Sequence, residues 1–73
     1  MMSTQKQAFL GGFDGDYEGV FVEIQLPDYP DVEIIYNSRA NFEKKKKYYA
    51  KAYNDSLEMK RNKEIKIVKY TFE

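Results

Sequence analysis

The chain has 73 residues, with seven tyrosines, five phenylalanines, no cysteine and no histidine, and its twelve basic and twelve acidic side chains cancel to a net charge of zero. That length holds one domain, residues 1–73, and a domain so small buries only about 60% of the surface its unfolded chain exposes. A disulfide is excluded and a zinc site of the usual Cys/His kind is excluded with it, so aromatic burial or self-association must supply what the small core lacks.

Residues 1–7 are polar and lack apolar anchors, which predicts a frayed terminus. The opening MMSTQKQ has no apolar h-region of a signal peptide, and no apolar run approaches the roughly 20 residues that span a bilayer. The expectation is a soluble, cytoplasmic protein that makes no use of membranes. Ala8, Phe9 and Leu10 come before Gly11-Gly12, and Phe13 before Asp14-Gly15-Asp16. Two apolar outposts parted by glycines fit either a short N-terminal edge strand or a strap tucked against the core.

Residues 17–36 read as a β-hairpin. Val20, Val22, Ile24 and Leu26 alternate with Gly19, Phe21, Glu23 and Gln25, the period of two of a strand with one inner face. Pro27-Asp28-Tyr29-Pro30-Asp31 cannot continue a ladder and makes the loop. Val32–Tyr36 returns, with Val32, Ile34 and Tyr36 on one side and Glu33 and Ile35 on the other. Setting Leu26 opposite Val32 brings Ile24 to Ile34 and Val22 to Tyr36, so that the apolar faces match.

Residues 39–60 carry the period of a helix. At about 100° per residue, Phe42, Tyr49, Tyr53 and Leu57 fall on one stripe, and Lys44, Lys47, Lys51, Asn54, Asp55 and Glu58 lie opposite. Ser38 suits the N-cap, Glu43 and Lys47 make a favourable i,i+4 pair, and Lys60 and Arg61 suit the negative end of the dipole, with Asn62 ending the helix. Residues 64–72 (EIKIVKYTF) form a final strand whose parity changes midway. Ile65 and Ile67 share one side, whereas Val68, Tyr70 and Phe72 share the other. Either a bulge near Ile67–Val68 re-aims the chain or both faces are partly buried.

The fold class that follows is α+β, a small ββαβ domain. Three antiparallel strands in the order 2-1-3, with the N-terminal segment available as an extra short edge strand, pack on one amphipathic helix of about 22 residues, roughly 33 Å long.

Function is less legible. Without His or Cys the commonest general base and the strongest nucleophile are missing. Ser38 and Ser56 have no nucleophile-elbow context, and the expectation is no enzyme and no cofactor. Asp14, Asp16, Glu18 and Gly19 match the first part of a calcium loop, but Gln25 stands where the bidentate glutamate belongs and no helices flank the segment. They read as turn residues in water, with no metal.

Two surfaces remain. Lys44, Lys47, Tyr48 and Lys51, within the run KKKKYYAK, offer a stripe for nucleic-acid phosphates with a tyrosine to stack on bases. Against this stand the zero net charge and the ordinary solvated face of an amphipathic helix, with Lys45 and Lys46 snorkelling along the aromatic stripe. The second surface is the back of the sheet, which one helix cannot cover. Phe21 and Ile35 project there, joined by Tyr70 and Phe72 from the final strand, and such a patch needs a cover: the N-terminal strap, a second copy, or another protein.

The charges are also unevenly placed. Residues 1–36 carry one cation against seven anions, and residues 37–73 eleven against five. The two halves either make an acidic edge and a basic face or interleave and pair, and interleaving is the expectation. The composition, frequent in Lys, Tyr, Ile and Asn and scarce in Ala, resembles small proteins of low-GC bacteria and their phages, which implies a compact accessory or inhibitory protein. The functional expectation is a non-enzymatic module that binds a protein partner or itself, with nucleic-acid binding as the alternative.

Overall fold

A computed structural model describes residues 4–73. The elements run α1 (Gln5–Gly12), β1 (Gly19–Gln25), β2 (Glu33–Ser38), a turn of 3-10 helix (Arg39–Asn41), α2 (Phe42–Ala52), β3 (Glu58–Met59) and β4 (Asn62–Phe72). The four strands form an antiparallel sheet in the order β2-β1-β4-β3, and both helices pack on one face of it. The predicted order of hairpin and final strand is present. The extra edge strand comes from the middle of the chain, not from its N-terminal segment.

That N-terminal segment is a helix. Thr4 and Gln7 form a capping box: the Thr4 hydroxyl accepts from the Gln7 amide at 3.1 Å, and Gln7 Oε1 accepts from the Thr4 amide at 3.0 Å. Two otherwise orphaned donors are thereby satisfied. The Lys6 amide donates to the Asp55 carbonyl at 3.1 Å, which docks the first turn of α1 on the turn after α2. Residues 4–7, expected to fray, are held by these bonds, while residues 1–3 lie outside the described part. Phe9 and Phe13, one turn apart, are both buried, and their rings meet edge to face at 5.2 Å.

α2 is half the predicted length. It has 11 residues, about 16 Å, and Tyr53 leaves it in extended conformation (φ −117°, ψ 146°). Asn54 explains the stop. Its Oδ1 accepts from the amides of Ser56 (3.0 Å) and Glu58 (2.9 Å), its Nδ2 donates to the Glu58 carboxylate (3.0 Å), and its own amide donates to the Glu58 carbonyl (2.8 Å). An asparagine that satisfies a turn so fully competes successfully with helix propagation. Tyr53 and Leu57 are buried as the helical period implied, but a reversal of the chain puts them there. Leu57 sits at φ 62°, a left-handed conformation a leucine adopts at a cost of about 1–2 kcal/mol. Its buried side chain offsets that cost. Ser38 precedes the 3-10 turn without a side-chain capping bond, and Lys60 and Arg61 lie in the β3–β4 turn, with Asn62 opening β4.

The hairpin is one residue out of the register that matching apolar faces predicted. Val22 pairs with Ile35, Phe21 with Tyr36 and Ile24 with Glu33. Because side chains alternate, a slip of one residue turns the whole strand over. Ile35 and Asn37 therefore face the core, and Ile34 and Tyr36 face away. On the other flank of β1, Glu23 pairs with Lys69 but Ile24 with Ile67, leaving Val68 as an unpaired extra residue. This is the bulge the parity change pointed to. It lets Ile65 and Ile67 on one side of it, and Tyr70 and Phe72 on the other, all pack toward the same core.

The core is Phe9, Phe13, Val20, Val22, Ile24, Phe42, Tyr49, Tyr53, Leu57 and Ile67. Phe72 lies at its rim, its ring 5.3 Å from that of Phe13, 5.2 Å from Tyr17 and 6.0 Å from Phe42. The space for this ring comes from Gly12, where a Cβ would stand 2.2 Å from the Phe72 side chain. The two charged halves interleave. Arg39 pairs with Asp16 (2.8 Å), Lys46 with Asp14 (2.5 Å) and Lys69 with Glu23 (4.0 Å), each joining an acid of the first half to a base of the second.

Candidate functional site on the uncovered sheet face

With both helices on one side, no element among the described residues covers the opposite face of the sheet. Across β2, β1 and β4 it presents two rows: Tyr36, Phe21 and Thr71, then Ile34, Glu23 and Lys69. Phe21 is 37% exposed, Tyr36 47% and Ile34 61%. These values matter because the three are neighbours and make a patch. The Phe21 and Tyr36 rings lie 4.8 Å apart at 52°. Tyr36 also lies across Gly19, where a Cβ would come 2.2 Å from its hydroxyl oxygen, so the glycine lets the ring lie flat over the start of β1. Beyond the patch the face turns polar, with the Glu23–Lys69 pair and then Gln25 beside Lys66. The patch adjoins β2, an edge strand whose outer side pairs with no strand among the described residues.

Of the four residues expected on this face, only Phe21 is there. Ile35 is turned to the core by the register slip, half-buried and packed against the buried residues. Tyr70 and Phe72 are brought to the core face by the Val68 bulge and lie under α1, their rings 4.8 Å and 6.3 Å from that of Phe9. The strap proposed as a cover is α1, and it covers the other side. Ile34 and Tyr36 are the residues that sequence reasoning missed. Val32–Tyr36 carries apolar residues at both parities, so its pattern alone admits either register.

The lysine stripe also divides. Lys44, Lys47, Tyr48 and Lys51 are all exposed along α2. Lys47 stands 3.9 Å from Glu43, the expected i,i+4 pair, and lines a depression of mixed charge with Asp14, Arg39 and Lys46. Tyr48 and Lys51 instead line a separate depression of about 340 Å³ with Ala52, Lys60 and Arg61. Lys45 and Lys46 are half-buried at the sides of the helix, and Lys45 Nζ lies 5.6 Å from the Tyr48 ring centre. Lys44 extends the positive surface along the helix.

The acidic turn after α1 sends its carboxylates to cations, Asp14 to Lys46 and Asp16 to Arg39, and Gly19 already belongs to β1. Among the described residues no three Asp, Glu, Cys or His side chains gather as metal ligands, and no helix is long and apolar enough to cross a membrane. Burial raises the phenol pKa of Tyr53 to about 12 and raises that of Tyr49 as well, the Asn37 side chain opposing the latter. Both are core tyrosines, Tyr49 on the inner side of α2 and Tyr53 at its end. Comparison with protein-family models, with curated proteins and with solved structures finds no match to this chain. The class is therefore defined by architecture alone: a two-layer α+β domain with one sheet face that the described residues leave bare.

Proposed function

We propose that this chain is a non-catalytic interaction module, of the accessory or inhibitory kind, that docks on another protein chain through the bare face of its sheet. The Phe21–Tyr36 pair with Ile34 carries the reading. Three large apolar side chains grouped on one face of so small a domain gain most by being covered, and the burial adds stability that a core of this size lacks. The polar margin formed by Glu23, Lys69 and Lys66 gives such an interface a rim and a means of choosing its partner.

A second copy of the chain is the occupant that asks least of the surface. Two copies packed face to face about a twofold axis would set Phe21, Ile34 and Tyr36 of one copy against the same residues of the other and cover both patches. A twofold contact of that kind is self-complementary by construction. Sedimentation equilibrium tests it. Wild type should associate at high concentration, and Phe21→Lys should remain monomeric and melt where dilute, monomeric wild type melts, since Phe21 lies outside the core. A monomeric wild type would move the proposal to a different protein, to be sought by immobilising wild type and Phe21→Lys side by side. A Phe21→Lys variant that fails to fold would overturn the reading, because the residue would then belong to the core.

A further inference from the structure

The depression beside Tyr48 lies on the helical side of the molecule, away from Phe21, and is built by a specific chain reversal. The Lys60 amide donates to the Ala52 carbonyl at 2.9 Å, and Tyr53 bridges to Met59. These bonds fold the β3–β4 turn back against the last turn of α2. Lys60 and Arg61 are thereby set beside Lys51 and Tyr48, although Lys60 lies nine positions after Lys51 in sequence. The depression has an apolar floor, Tyr48 and Ala52, and a rim of three cations. No carboxylate lines it, and none of Lys51, Lys60 and Arg61 takes part in an ion pair among the described residues, in contrast to Arg39, Lys46, Lys47 and Lys69. Tyr48 is 47% exposed. Lys45, which lies near the ring and holds it by a cation–π contact, is not part of the lining.

We propose that Tyr48, Lys51, Lys60 and Arg61 bind a short segment of single-stranded nucleic acid, one base stacking on Tyr48 over Ala52 and the flanking phosphates meeting the three cations. The arrangement favours a nucleic acid over an acidic peptide because the cations surround an exposed aromatic ring. A carboxylate-rich chain has use for the rim but not for the floor, whereas a nucleotide has a flat apolar part and an anionic part side by side. It favours a single strand because a duplex keeps its bases stacked on one another. Since the whole molecule carries no net charge, attraction is local. Three phosphate contacts predict a slope of log affinity on log salt of about −2, from roughly 0.7 per contact on a single strand.

Fluorescence anisotropy of a labelled oligothymidylate, titrated with the full chain at low salt and again at several higher salt concentrations, tests this. The wild type should bind with that slope. The Lys60→Glu/Arg61→Glu double variant should weaken binding at least tenfold, and Tyr48→Ala roughly five- to a hundredfold, the range of one lost base stack. Tyr48→Phe should restore binding to within about twofold, a rescue that charge alone does not predict. Lys47→Glu, in the separate depression with Asp14 and Lys46, is the control for general loss of charge, and thermal melts confirm that each variant is folded. Absence of binding at low salt overturns the proposal, and so does an equal loss in Lys47→Glu. Equal binding of a duplex, or equal competition by polyglutamate, would show that the site reads charge only and would overturn the assignment to single strands. None of these results bears on the Phe21 face, whose test reads association of the protein alone.

Discussion

The ring of Phe9 meets the ring of Tyr49 edge-on at 5.1 Å, and at this point the two helices are joined. Phe9 is fully buried and stands within 6.3 Å, ring to ring, of Phe13, Tyr49, Tyr70 and Phe72. A residue expected on a loose strap is thus the centre of an aromatic cluster that draws on both helices and β4. Phe9→Ala should cost about 3–5 kcal/mol, a large share of the roughly 4–11 kcal/mol that a domain of this length commands. Tyr29→Ala, at an exposed loop position, should stay within about 0.5 kcal/mol. Urea unfolding followed by far-UV circular dichroism separates the two, and a small effect of Phe9→Ala would mean that α1 does not close the core.

The hairpin register makes a second prediction, because the two possible pairings exchange Ile34 and Ile35. In the observed pairing Ile35 packs against the core and Ile34 is exposed. Ile35→Ala should therefore destabilise by about 1–3 kcal/mol, given partial burial, and Ile34→Ala by under about 0.5 kcal/mol. Thermal melts of the two variants decide it, and a reversed ranking would restore the pairing of Ile24 with Ile34.

Adjacent glycines in α1 should respond in opposite directions. A methyl group at Gly11 meets nothing within 4 Å, so Gly11→Ala should stabilise by about 0.5–1 kcal/mol through helix propensity and a less flexible unfolded chain. At Gly12 the methyl would collide with the Phe72 ring, which is hemmed in by Phe13, Tyr17 and Phe42. Gly12→Ala should destabilise by about 1–3 kcal/mol. Differential scanning calorimetry should show the midpoint rising for the first variant and falling for the second.

Stability should also fall at alkaline pH, and Tyr53 is the group to follow. The residue is 1% exposed, and its phenol is raised to about 12, first by burial and then by repulsion from ionised Tyr48 and Tyr49. An unfolded tyrosine ionises near about 10. Between these values the folded chain holds a proton that the unfolded chain has lost, so the contribution is complete below the lower value and is lost as pH rises through the upper one. The slope from one phenol is at most about 1.4 kcal/mol per pH unit. Tyr53→Phe should flatten the decline in urea midpoint between about pH 10 and about pH 12, and an unchanged decline would assign it to other groups.

What was legible in the sequence follows from how local each signal is. The alternation of Val20, Val22 and Ile24 placed β1 and its buried face, because a strand flanked on both sides has few other ways to hide three branched residues. The broken parity of Ile67 and Val68 located the bulge to the residue. The helix was overextended because Tyr53 and Leu57 happen to fall on its stripe, although Asn54-Asp55-Ser56 is a turn signal that ends the pattern. The capping box Thr4–Gln7 was present too, its threonine five positions before the buried Phe9, and would have identified that helix. The surface around Phe21 was half legible: β1 fixes which way Phe21 points, but its companions depend on pairing register, a relation between strands that neither strand encodes alone. Lys60 and Arg61 join Tyr48 only through the chain reversal after Ala52, which a continuous helix would have forbidden.

The unpaired residue in β4 has one more consequence, for how the chain tolerates change. Any side chain that suits a half-exposed strand position can stand at Val68, since the residue has no partner on β1 to satisfy. Its presence, however, keeps Ile65 and Ile67 in phase with Tyr70 and Phe72. Deleting position 68 would put the two pairs on opposite sides of the sheet and turn one of them into solvent, while leaving hydrophobicity and charge almost untouched. A one-codon deletion there should be far more damaging than any substitution at the same codon. Drift can rewrite this stretch of β4 residue by residue, but it cannot shorten it.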